Sequence, residues 1–147
     1  MGTEIERKFL VKGDAWRTSS DRVAVVQGYL SRDEKRVVRV RTLDEKGFIT
    51  IKGIRSGAAR REFEYPVPYA DASEMLKEMC QPPLIRKTRY TLTCLGFRWT
   101  VDEFHSPRAG LVLAEIEIPS AECIFGRPDW IGEEVTQNPS YYNQNMY

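Results

Sequence analysis

The chain opens with Glu4-Ile5-Glu6-Arg7-Lys8-Phe9, two carboxylates and an amine at alternating positions. In an extended strand alternate side chains share a face, so Glu4, Glu6 and Lys8 point one way and Ile5, Arg7 and Phe9 the other. Two acids about 7 Å apart along a strand can converge on one hard cation, and the neighbouring ammonium can hold an anionic ligand beside it. The pattern recurs down the sequence. Arg39 and Arg41 alternate with Val38 and Val40, Glu62 and Glu64 with Phe63 and Tyr65, and Glu115 and Glu117 with Ile116 and Ile118. Lys52 has the opposite parity to Ile49 and Ile51, Lys87 and Arg89 precede Tyr90, and Asp102 follows Val101.

An antiparallel sheet with one wet face shows such alternation without any ligand. The sorting by sign argues for more, because a solubilising face mixes charges. Two like charges about 7 Å apart repel by roughly 2 kcal/mol at an effective dielectric of about 20. A ligand that neutralises both sets would offset that cost. If these faces turn inward in a barrel, acids from positions 4, 6, 62, 64, 102, 115 and 117 meet cations from 8, 39, 41, 52, 87 and 89. Carboxylates without His or Cys partners select Mg²⁺ or Mn²⁺ over zinc. Several cations together suit a chain of phosphates, so the expected chemistry is phosphoryl transfer around a metal-bridged phosphate.

The elements that must position these groups are mostly strands. The alternation predicts strands over 3–12, 23–31, 36–43, 48–54, 60–67, 84–95, 97–105 and 111–119, separated by turn chemistry such as Asp44-Glu45-Lys46-Gly47 and Gly96, with a polar loop around Asp14 to Asp21. Short turns between consecutive strands imply an antiparallel meander. One helix is predicted over Ala72 to Cys80, with Asp71 as its cap, Glu74 completing a capping box and Gln81-Pro82-Pro83 ending it. A second, weaker helix is expected after Pro139. The fold class is therefore mainly β: a closed or nearly closed antiparallel β-barrel of about eight strands, its interior charged and its helices packed outside.

Bulk properties narrow the function. The 147 residues are the size of one domain, 1–147, with 41% hydrophobic and 29% charged residues and a formal net charge of +1. That charge gives no support to nucleic-acid binding. No apolar run approaches the roughly 18 residues of a membrane span, and the polar, acidic start is unlike a signal peptide, so a cytoplasmic protein is expected. Cys80, Cys94 and Cys123 form neither a disulfide framework nor a zinc pattern, and His105 is the single histidine. Ser-His-Asp hydrolysis is thereby disfavoured.

The opening block resembles the Glu-x-Glu-x-Lys signature of the CYTH superfamily, the triphosphate tunnel metalloenzymes. The likeness continues in order through Gln27-Gly28-Tyr29-Leu30, Arg39-Val40-Arg41, Ile51-Lys52-Gly53, Arg61-Glu62-Phe63-Glu64-Tyr65, Arg86-Lys87-Thr88-Arg89-Tyr90 and Val101-Asp102-Glu103-Phe104. It ends with Leu113-Ala114-Glu115-Ile116-Glu117 and Gly132-Glu133-Glu134-Val135-Thr136. The resemblance implies an eight-stranded antiparallel tunnel that binds a triphosphate and uses Mg²⁺ or Mn²⁺. It implies Glu4, Glu6, Glu115 and Glu117 as the metal set, with Asp102, Glu62 and Glu64 contributing directly or through water. Lys8, Arg39, Arg41, Lys52, Lys87 and Arg89 would hold phosphates. The compact tail is similar to that of bacterial tripolyphosphatase-like members, and the family carries a tendency toward homodimers.

Tripolyphosphate hydrolysis, with nucleoside triphosphates as secondary substrates, is the expected activity. Glu62, Glu64, Tyr29, Lys87 or metal coordination alone could take the water's proton. Arg60 and Arg61 sit beside a turn, facing solvent or phosphate, and His105 is read as incidental. The rival readings are a class IV adenylate cyclase-like enzyme, which needs an adenine pocket, and a non-catalytic polyphosphate-binding module. The acids argue against the latter, since a pure polyanion binder has no use for carboxylates beside its ligand.

Overall fold

A computed structural model describes residues 2–19 and 21–147; Ser20, in the expected polar loop, lies outside the described residues. Among the described residues nine strands run β1 (Gly2–Val11), β2 (Arg22–Ser31), β3 (Val37–Leu43), β4 (Lys46–Ser56), β5 (Ala59–Val67), β6 (Gln81–Cys94), β7 (Phe97–Ser106), β8 (Val112–Glu117) and β9 (Ile131–Glu134), with one α-helix, α1 (Tyr69–Glu78). The sheet order is β5-β4-β3-β2-β6-β7-β8-β1-β9, and a further β1–β5 pairing closes the first eight strands into an antiparallel barrel. The edge of β1 that pairs with β5 through Gly2 to Ile5 takes up β9 further along, at Phe9 and Val11.

The meander expectation holds only in two runs, β2 to β5 and β6 to β8. Between them the chain crosses through α1, so that β6 pairs with β2, and β1 is the stave that joins β8 to β5. Closure satisfies backbone groups that an open sheet would leave exposed at its edges.

Local signals placed α1 about one turn late. The helix starts after Pro68 and ends at Glu78, and no side chain caps its first turn. Asp71 sits inside that turn, where its charge still meets the positive end of the helix dipole, and the box with Glu74 is not made. Packing decided the start: a Cβ at Gly47 would lie 2.8 Å from Ala72 Cβ and 2.9 Å from Val67 O, so the helix seats against bare backbone there. Pro82 and Pro83 open β6 instead of merely stopping the helix, since proline is tolerated at a strand's beginning. The tail forms two short 3₁₀ turns, Pro139–Tyr141 and Asn143–Asn145, not an α-helix. Strand β9 had no counterpart in the sequence reading.

The apolar residues pack outside the barrel wall. Phe9, Trp99, Ile116, Trp130 and Ile131 form one cluster with Trp16, which a 3₁₀ turn (Ala15–Thr18) lays over Tyr90 at 5.0 Å between ring centroids. Ala72 and Leu76 of α1 cover Val40 of β3 in another. At one end of the barrel the positions in register with the charged ones become apolar. Leu10, Tyr29, Val37, Ile85, Phe104 and Leu113 gather there with Val135, Tyr141 and Met146 of the tail. No helix among the described residues is long and apolar enough to cross a membrane.

Candidate active site

The lumen is a cavity of about 800 Å³ into which the charged faces project. Glu4, Glu6 and Lys8 reach it from β1, Glu115 and Glu117 from β8, and Glu62 and Glu64 from β5. Arg39 and Arg41 enter from β3, Lys52 from β4, and Lys87 and Arg89 from β6. Tyr29 also borders it. Register explains the neighbours: Glu6 pairs with Glu117 and Lys8 with Glu115 across β1 and β8, while Lys52 pairs with Glu62 across β4 and β5. Asp102 is the one expected site residue outside the lining. Its side chain is 2% exposed and lies behind Lys87 and Arg89, 2.7 Å from Lys87 Nζ and bonded by Arg89 Nε and Nη2 at 2.8 and 3.0 Å.

Charges that meet in the lumen are cross-braced. Lys52 Nζ lies 3.1 Å from Glu4 and 3.4 Å from Glu62. Glu64 accepts from the Thr50 hydroxyl and lies 3.4 Å from both Arg39 and Arg41. Although burial alone would raise it, Thr50 and the two arginines hold the Glu64 carboxyl below its ordinary range. The Nε–H groups of Arg39 and Arg41 are buried and have no acceptor. An orphaned buried donor costs about 1–3 kcal/mol, more when charged, so this cationic wall is left under-satisfied. Burial, then Arg39 and Arg89, push the Arg41 guanidinium down to about 9.

Burial and the repulsion of Glu115 and Glu4 raise the Glu6 carboxyl well above the usual carboxylate range. Its partner behaves oppositely: burial disfavours the Glu115 anion, but Lys8, a hydrogen bond from Glu6, Arg89 and Lys87 hold it well below that range. Close buried acids disfavour each other's charge, so the two carboxyls are pushed in opposite directions. Glu4 and Glu117 are both raised, chiefly by burial. Among the described residues no three acids, thiols or imidazoles are already gathered to grip an ion; Lys52 occupies oxygens of Glu4 that would face one. The donor set nonetheless fits a hard divalent cation, because it is all carboxylate and brings Glu6 and Glu115 close enough to repel each other.

Lys87 and Tyr29 differ from surface examples of their kind. Burial drives the Lys87 ammonium down to about 7 against the opposing pull of Asp102, with Arg89 adding to the fall. Arg89 and Lys87 outweigh burial at Asp102 and hold it near 2. The Tyr29 phenol is buried and raised for that reason, and Gln27 Nε2 donates to it at 3.3 Å.

Of the two arginines left facing solvent or phosphate, Arg60, 3% exposed, borders the cavity, whereas Arg61 points outward over the Phe63 ring at 5.3 Å. Parity with Glu62 and Glu64 favours the lumen for Arg60. Asp21, Arg55, Arg98, Tyr142, Asn143 and Gln144 also line it, and nothing local marks the last three. His105 is exposed and bonded to Thr88.

The CYTH domain family model matches residues 2–145. An inorganic triphosphatase of Acetivibrio thermocellus is 47% identical over 146 residues, covering 99% of this chain and 94% of that protein. One from Nitrosomonas europaea is 33% identical, covering 98% and 96%. A crystal structure of an inorganic triphosphatase superposes with a TM-score of 0.65 at 32% identity, covering 96% of this chain and 94% of the other.

Proposed function

The chain belongs to the CYTH domain family, and on that premise we propose that it is a single-domain, metal-dependent phosphohydrolase that removes the terminal phosphate of inorganic tripolyphosphate, with nucleoside triphosphates as secondary substrates. The observation that carries the reading is the opposition, across one lumen, of arginines and lysines from β3, β4 and β6 and carboxylates from β1 and β8. A pure polyanion binder would need only the first half.

Arg39, Arg41, Lys8, Lys52 and Arg89 hold the phosphates, the guanidiniums by paired donors and the ammoniums as point charges. Glu4, Glu6, Glu115 and Glu117 hold Mg²⁺ or Mn²⁺, and Asp102 acts behind them by fixing Lys87 and Arg89. The bound ion supplies charge neutralisation at the phosphate oxygens and eases ionisation of water. Glu64 keeps Arg39 and Arg41 aligned, and Glu62 does the same for Lys52. A water oxygen bonds to the terminal phosphorus as the bridging P–O bond breaks, releasing orthophosphate and pyrophosphate. Lys87, its ammonium brought down to about 7 by burial, is the group best poised to take the water's proton. Tyr29, with its phenol raised, serves as wall rather than base.

Phosphate release from tripolyphosphate, ATP and pyrophosphate, each with Mg²⁺, Mn²⁺ or chelator, tests this. Metal-dependent release that is fastest from tripolyphosphate is expected. Equal release with chelator, or none from any substrate, would overturn the reading, and cyclic AMP from ATP would redirect it.

A further inference from the structure

The C-terminal tail enters one end of the barrel, and its neutral oxygens meet the lumen's cations. Tyr141 O accepts from Lys8 Nζ at 3.1 Å and Asn143 Oδ1 from Lys87 Nζ at 2.9 Å. Gln144 Oε1 accepts from Arg60 at 3.3 Å and Gln144 O from Arg32 at 2.7 Å. Behind the tail is a second cavity of about 380 Å³. Arg55, Arg60, Tyr142 and Gln144 border both spaces, so the tail is the partition between them.

Arg32, Arg55 and Arg60 surround the second cavity, and Glu34 is the acid on its border. None of the three arginines forms an ion pair among the described residues. Arg60 is held by Gly53 O at 2.6 Å and Glu34 O at 3.4 Å, while Arg55 stacks over Tyr142 at 4.2 Å. Three guanidiniums satisfied by carbonyls and a ring, with charge left over, make a site for a polyanion.

Resting on the triphosphatase reading of the lumen, we propose that Tyr142, Asn143 and Gln144 form an end wall that limits how many phosphates the lumen admits. Arg32, Arg55 and Arg60 behind it form a second phosphate subsite, which longer linear polyphosphates reach when the wall yields. The wall's amide and carbonyl oxygens are uncharged, and an anionic phosphate oxygen bonds the same cations more strongly. The wall can therefore be displaced locally, but it does not leave. Met146 is anchored in the core at 1% exposure, and the Tyr142 hydroxyl donates to Thr136 O at 3.0 Å.

The experiment compares kcat/KM for tripolyphosphate, tetrapolyphosphate and a long-chain polyphosphate in wild type, Gln144→Gly and Gln144→Glu. Gln144→Gly thins the wall and raises the long-to-short ratio at least about tenfold, the worth of one charge-assisted bond gained, with the tripolyphosphate value changing less than about threefold. Gln144→Glu, which keeps the side chain's size and sets a carboxylate against Arg60, lowers the ratio below wild type. Adding Arg55→Ala to Gln144→Gly returns it toward wild type. An unchanged ratio in both single variants overturns the wall, and a rise that Arg55→Ala does not reverse overturns the subsite. Should Gln144→Gly not fold, Gln144→Ala carries the same contrast with Gln144→Glu. If wild type releases no phosphate from any substrate, the hydrolase reading fails by itself. Calorimetric affinities of the metal-free protein for the same three chains then read the wall directly, with the same expected and overturning ratios.

Discussion

Lys87 Nζ lies 2.7 Å from Asp102 Oδ2, and both side chains are 2% exposed. A buried pair of this kind is costly to create and costly to break. Its value here is positional, because Asp102 also fixes Arg89 and so sets two lumen cations with one carboxylate.

The amine's lowered pKa has a sign that can be checked. Between about 7 and the ordinary lysine value the folded protein leaves Lys87 neutral while the unfolded chain protonates it, so this group's contribution to stability rises with pH across that window. As the group that takes the water's proton, Lys87 should give phosphate release a limb that falls as pH drops through about 7. Lys87→Arg, which stays charged, should lose most of the rate together with that limb, measured as pH–rate profiles of the two proteins. A wild-type rate that is flat through this range would contradict the assignment.

Asp102→Asn leaves two buried cations facing a neutral amide. Unfolding in urea should show a loss of about 3 kcal/mol. The wild-type carboxyl, held near 2, contributes stability above its ordinary pKa that is lost as pH falls through 4 toward 2. The variant should lack that acid limb, so acid titrations of the two proteins should converge at low pH.

Glu6 and Glu115 should respond differently to the same substitution. Burial and the neighbouring acids disfavour the Glu6 anion, so Glu6→Gln leaves the metal-free melting temperature unchanged or higher. Glu115→Gln removes the anion that faces Lys8 and lowers it. Both should lose at least about 100-fold in phosphate release, since each removes a charge-assisted ligand position. Wild type should melt higher with Mn²⁺ than with chelator, and that gain should vanish in both variants.

On the outer wall, Gly47→Ala pushes a methyl into Ala72 and the Val67 carbonyl. A stability loss of about 1–3 kcal/mol is expected, from overpacking between α1 and β4. Turnover per folded molecule should be unchanged, because the contact lies on the barrel's outer face. Denaturant melts and activity normalised to the folded fraction check both.

By itself the sequence determined what the alternating pattern encodes. Period-two parity assigned Glu4, Glu6, Lys8, Arg39, Arg41, Lys52, Glu62, Glu64, Lys87, Arg89, Glu115 and Glu117 to one face each, and sign-sorting along strands implied that those faces meet around a ligand. Only the tertiary structure decided which strands become neighbours. β1 bridging β8 and β5 sets Glu6 opposite Glu117 and Lys8 opposite Glu115, and this long-range closure has no local signature. The start of α1 was likewise set by a bare backbone at Gly47, not by a capping side chain. Asp102 shares the inward parity, yet it pairs behind Lys87 and Arg89 because depth in the wall depends on neighbouring side-chain length. The tail's seat, Asn143 on Lys87 and Gln144 on Arg60, depends on contacts between residues 56 and 84 positions apart, for which no periodic pattern exists to be read.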